Sequence, residues 1–343
     1  MFRLERHART RRALVVTAAL AVVAACVFVV SMMLGSYLLG PAEVLGSVLG
    51  LSAEPSVDFI VRELRLPRAI TAVLVGLALG AAGSIFQRVL RNPLAAPDII
   101  GISAGASSAT VAGLVLFGAG GFGLSIASLA GALLTAAAVY LLAWRGGIAD
   151  YRFILIGVGV AALLESVTGY LVSRAEISDA RAAMTWLVGS VGMAGEGEIL
   201  GLAVGCAVVI PVLMAFSRRL GVLELGADSA RGLGVRPQAE TAVQLGCAVV
   251  LVALATAAAG PLAFVALMAG PIAGRLLGLA GERVLPAALV GAIIVQTADV
   301  VAQHLLPYPI STGIVTGLTG APYIAWLLIR NGSPTGSRSE GQQ

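Results

Sequence analysis

Apolar stretches recur along this chain, separated by short polar segments rich in Gly, Pro and Arg. A helix rises 1.5 Å per residue, so about 20 apolar residues cross a bilayer. Ten spans of roughly that kind are legible: residues 13–34, 66–90, 99–117, 124–144, 153–172, 199–216, 241–260, 261–279, 285–302 and 312–329. The pattern predicts an all-α polytopic membrane protein with ten transmembrane helices. Residues 1–12 read as an N-terminal tail, 13–330 as one helical domain and 331–343 as a disordered polar tail. The first apolar run is too long for a signal-peptide core and reads as a membrane helix. Gly270-Pro271 interrupts the eighth span, which is read either as a broken helix or as a simple kink there.

Composition excludes a soluble fold. The chain is 58% hydrophobic and 12% charged, whereas soluble domains carry about 25% charged residues. All 22 basic residues are Arg. Placing both termini in the cytoplasm puts Arg3, Arg6, Arg9, Arg11, Arg12, Arg88, Arg91, Arg145, Arg152, Arg218, Arg219, Arg231, Arg236, Arg275, Arg283, Arg330 and Arg338 inside, 17 of the 22. That is the positive-inside bias. The sequence pI near 9.3 therefore reflects topology, and no basic-aromatic run of the nucleic-acid-binding kind accompanies it.

Arg62, Arg65 and Arg68 break the bias at the external start of the second span. Interfacial snorkelling accounts for such a cluster, and so does a docking patch for an acidic partner. Two carboxylates fall inside spans, Glu165 and Asp299, the latter on a stripe with Gln296 and Gln303. An intramembrane carboxylate is a functional candidate by default. Proton coupling through this pair is one reading, and a hydrogen-bonded structural Asp is the other.

Catalytic chemistry is not legible. Cys26, Cys206 and Cys247 lie in apolar spans, and the two histidines, His7 and His304, are far apart. Neither pattern is a metal site, and no cofactor is expected. No Walker A, GxSxG or HExxH string occurs, so the chain reads as a non-enzyme without its own ATPase site. Energy then comes from a partner. Residues 217–240 form the longest polar insert and are the natural receiver, with LGADSARGLGV at 225–235 as a short helix ending at glycine.

At this point the strings RLPRAITAVLVGLALGAAGSIFQ (65–87), RNPLAAPDIIGISAGA (91–106), WLVGS (186–190), LGADSARGLGV (225–235) and GIVTGLTGAPYIAWLL (313–328) carry a resemblance. Their order and spacing are similar to those of the FecCD-type permeases of iron-siderophore and cobalamin ABC importers. The branch most resembled is that of second permeases for catecholate siderophores. The resemblance implies a type II importer fold in the bacterial cytoplasmic membrane, a second permease, two cytoplasmic ATPases and an external binding protein. It implies docking through Arg65 and Arg68, with Arg62 adjacent, and ATPase coupling through helices near 223–239, including Leu225, Gly226, Ala230, Arg231, Leu233 and Gly234. The implied cargo is a ferric siderophore; cobalamin and haem share the architecture. Gln303 stands where relatives often carry Arg, which favours an asymmetric permease pair. Partners other than protein and membrane lipid are not implied.

Overall fold

The computed structural model describes residues 2–51, 54–144, 150–223, 227–278 and 283–331. Among these the regular secondary structure is all helical, without strands. Helix α1 spans Phe2–Met33, so it continues through the segment read as a tail. Two short helices follow, α2 (Pro41–Val48) and α3 (Pro55–Asp58). A π-helical segment, Phe59–Arg65, joins α3 without a break to α4 (Leu66–Val89). Next come α5 (Ile102–Phe117), α6 (Phe122–Ala143), α7 (Asp150–Arg174) and α8 (Ile177–Val188). The rest are α9 (Glu196–Leu223), α10 (Ala227–Gly232), α11 (Pro237–Ala259), α12 (Val265–Leu277), α13 (Val284–Val300) and α14 (Thr312–Asn331).

Among the described residues, eight helices are long and apolar enough to cross a membrane, and two shorter apolar ones, α5 and α12, lie where the third and eighth spans were expected. Both start late for a backbone reason. The chain from Arg91 to Gly101 is a series of turns, with Arg91 at φ 47 and Gly101 at φ 87. Gly260 (φ 68) and Phe264 (φ 67) likewise break the chain before α12. Of the two readings of Gly270-Pro271, the broken helix is set aside: α12 runs through Pro271. The backbone bond that Pro271 cannot make is replaced from α4, where Gln87 Nε2 donates to the Leu267 carbonyl at 3.0 Å.

Helix α4 is the hub, packed against α9, α11, α12 and α13. Its small-residue face makes this possible, because membrane helices gain from close backbone approach rather than from excluding water. A Cβ on Gly76 would collide with the backbone of Gly291 and Ala292, and one on Gly291 with the Gly76 carbonyl. Most of α4 is buried accordingly, whereas α7 and α14 leave most of their surface uncovered. The string around Gly189 ties three elements together. Ser190 N–H donates to the Ala259 carbonyl at 2.7 Å and Gly313 N–H to the Gly189 carbonyl at 3.1 Å. This joins the end of α8 to the end of α11 and the start of α14.

Candidate functional site

Two ends of the bundle hold the residues singled out from the sequence. At the end bearing the arginine cluster, the π-helical segment carries Arg62 and Arg65 and delivers Arg68 to the first turn of α4. Arg62 is exposed, and its Nε donates to the Ser47 carbonyl at 2.7 Å. Ser47 Oγ in turn donates to Asp58 at 2.6 Å. Arg65 closes the end of α1. Its Nη1 donates to the carbonyls of Met32 (2.7 Å) and Met33 (3.2 Å), and its Nη2 to that of Tyr37 (2.5 Å). The last carbonyls of a helix lack partners and carry partial negative charge, so a cation there satisfies both needs.

Arg68 forms a bidentate pair with Asp299, Nε to Oδ2 at 2.9 Å and Nη2 to Oδ1 at 2.7 Å. Thr312 Oγ1 adds a bond to Oδ1 at 2.8 Å. One carboxylate thus joins α4, α13 and α14. The pair is largely buried, at 28% and 12% side-chain exposure, where planar, two-point Arg–carboxylate geometry is strongest. A second π-helical segment, Val301–Leu305, follows α13 directly, so unwound helix flanks the ion pair on both strands of the chain. Such π segments frequently mark functional positions.

The arginines expected as one patch are therefore divided. Arg62 faces solvent, while Arg65 and Arg68 are half-buried and engaged within the chain. The polar stripe expected on α13 is not a network. Gln296 bonds its own helix at Ala292, and Gln303 reaches the Ile310 carbonyl at 3.0 Å. Asp299 has two partners, Arg68 and Thr312, as the reading of a hydrogen-bonded structural Asp expects. Glu165 lies exposed on α7 rather than buried. It lines a cavity of about 400 Å³ with Ser103, Thr168 and Asp98. Asp98 accepts a hydrogen bond from Ser103 Oγ and was not singled out from the sequence, because it sits in the irregular stretch ahead of α5.

At the opposite end, α10 is the short helix expected in the insert; Leu225 and Gly226 lie outside the described residues. Its C-terminus closes with Gly234 N–H to the Arg231 carbonyl (3.0 Å) and Val235 N–H to the Ala230 carbonyl (3.0 Å). Gly234 has φ 77. This is a Schellman ending, which needs the left-handed glycine. Ala230 is buried, whereas Arg231 and Leu233 are exposed. A cavity of about 490 Å³ beside it is lined by Leu233, Gly234, Arg219 and Glu240. Glu240 is a buried carboxylate that the hydropathy pattern missed. It bonds Gln244 at 3.1 Å and pairs with Arg219 at 3.5 Å.

The described residues thus present a rim at one end, an exposed segment at the other and uncovered helices between. The sequence model of the FecCD transport family matches residues 7–330. The chain belongs to that family. Within it, this FecCD permease is 38% identical over 300 residues to the ferric enterobactin transport system permease protein FepG of Escherichia coli, covering 86% of this chain and 90% of FepG. It is 40% identical over 309 residues to the achromobactin transport system permease protein CbrC of Dickeya dadantii, covering 89% and 88%. Its fold is similar to the solved inward-facing conformation of a metal-chelate type ABC transporter, with TM-score 0.82, 26% identity and coverage of 92% of this chain and 98% of that one. The FecCD permease is thus a membrane-embedded subunit of the ABC-importer type, as the motif strings implied.

Proposed function

We propose that this chain is the permease subunit of an ABC importer that carries a ferric siderophore across the bacterial cytoplasmic membrane, driven by two partner ATPases. The observation that carries this reading is the near full-length likeness to permeases named for ferric enterobactin and achromobactin. The ten apolar helices, α5 and α12 included, then all cross the membrane, with both termini cytoplasmic as the arginine distribution favours. The uncovered faces of α7 and α14 support a second permease packed along them, and a heterodimer is the form favoured.

In this arrangement a loaded binding protein docks at the rim around Arg62, with Arg65 and Arg68 holding that rim in shape. ATP binding closes the ATPase pair. The exposed Leu233 and Arg231 of the α10 segment pass that motion to α9 and α11, and the axis between the permeases opens alternately to each side. No bond chemistry occurs in the permease. Uptake of radiolabelled ferric siderophore into vesicles holding the assembled importer tests the reading. The expected result is uptake that stops when ATP hydrolysis is blocked. Uptake that persists without ATP and collapses with the proton gradient would reassign the chain to secondary transport. Uptake of cobalamin or haem in place of ferric chelates would change the cargo alone.

A further inference from the structure

A second basic feature lies at the α10 end of the bundle, apart from both surfaces described above. A cavity of about 540 Å³ opens where α4, α12 and α14 converge. Arg88 and Arg91 from the end of α4, Arg275 from α12 and Arg283 just ahead of α13 all line it. Among the described lining residues there is no carboxylate. Positive-inside bias explains arginines at this end of the helices, but it does not gather four of them around one recess.

The geometry points to an anion-binding site for the phosphate of an anionic phospholipid headgroup. Two observations select a lipid over other anions. First, the recess lies between apolar helices, and basic pockets in that setting on the cytoplasmic side bind acidic headgroups. Second, its rim has interfacial aromatic character. The Arg275 guanidinium stands 4.4 Å from the ring centroid of Trp326 and its Nη1 lies 3.5 Å from the Tyr323 hydroxyl. Trp and Tyr concentrate at headgroup depth, and stacking occupies the flat face of a guanidinium while leaving donors along its edge. Arg91 also holds the Leu223 carbonyl at 2.7 Å, so an occupied site would brace the end of α9, next to the α10 insert.

The placement on the cytoplasmic leaflet rests on the topology proposed above, but the test does not require transport. The full-length chain, with the subunits that co-purify with it, is placed in nanodiscs of phosphatidylcholine and titrated with phosphatidylglycerol. Retained lipid is read by native mass spectrometry and stability by thermal melting. The expected result is retained phosphatidylglycerol and a raised Tm. Arg275→Gln with Arg283→Gln should weaken retention about 30-fold, since each arginine near an anionic surface contributes about 1 kcal/mol. Arg275→Lys with Arg283→Lys should keep much of it, and Arg11→Gln, on exposed α1, should keep all of it. Equal retention in the double Gln variant overturns the site. Equal stabilisation by inorganic phosphate in phosphatidylcholine overturns the lipid assignment. Loss of the phosphatidylglycerol effect only when the ATPases are removed would assign the arginines to an acidic protein partner instead. Intact lipid binding in a protein that fails the siderophore uptake assay would sink the cargo reading alone.

Discussion

Gln87 and Leu267 are bonded across the α4–α12 interface at the one place where α12 cannot bond itself. Pro271 has no N–H for the Leu267 carbonyl, and Gln87 Nε2 supplies one at 3.0 Å. Gly270 makes room, because a Cβ there would collide with the Gln87 amide. Gln87→Leu should therefore cost about 1–3 kcal/mol, the penalty of a buried carbonyl left unmet. Gly270→Ala should displace the same amide, so the two changes together should cost little more than one. Pro271→Ala in the Gln87→Leu background should recover part of the loss by returning a backbone donor. Melting temperatures in detergent decide this, and fully additive losses would refute the shared bond.

The Arg68–Asp299 pair should behave as a buried ion pair. Removing one member, by Arg68→Leu or Asp299→Leu, should cost about 3–5 kcal/mol, because the remaining charge is stranded. The double Leu variant should be markedly more stable than either single one. A double-mutant cycle on thermal stability measures the coupling. Near-zero coupling would mean that the two groups do not rely on each other.

Docking should depend most cleanly on Arg62. Arg62→Glu should lower affinity for the binding protein while changing stability by about 1 kcal/mol or less, as expected at an exposed charge. Arg65→Glu should instead lower the yield of folded protein, since two carbonyls at the end of α1 and the Tyr37 carbonyl after it lose this donor. Surface-plasmon binding alongside melting separates the two effects. Unchanged affinity in Arg62→Glu would remove this residue from the docking surface.

Coupling should fail without unfolding when the tip of the insert is altered. Leu233→Asp should leave ATP hydrolysis measurable and abolish its stimulation of uptake. Gly234→Ala should cost about 1–2 kcal/mol locally, because φ 77 strains a residue with a Cβ. The ratio of ATP hydrolysed to siderophore taken up is the readout, and a wild-type ratio in Leu233→Asp would move the contact elsewhere.

Close packing gives a further test that is independent of function. Gly76→Val and Gly291→Val should sharply reduce the folded fraction, since each forces backbone apart at the α4–α13 crossing. Gly201→Ala, with open space around it, should be neutral or slightly stabilising. Fluorescence-detected size exclusion reports both. Tolerance of Val at position 76 would contradict the crossing.

The apolar helices and the helix closing at Gly234 were written in the sequence because each is a local property. A bilayer accepts only helices whose backbone is satisfied internally, so runs of apolar residues already declare them. The motif strings declared the family for the same reason: they lie contiguous along the chain. What decided the sites is not local. Arg68 and Asp299 are 231 residues apart, and no hydropathy window could show that a hydrogen-bonded Asp in α13 takes its partner from the external arginine cluster. Glu165, conversely, is apolar-flanked in sequence yet lies on the uncovered face of α7. The true breaks before α5 and α12 come from single left-handed residues, Arg91, Gly101, Gly260 and Phe264, while the bond that Pro271 leaves open is mended by a side chain from another helix. Local pattern sets which segments enter the membrane; only the packing of those segments sets which polar group meets which.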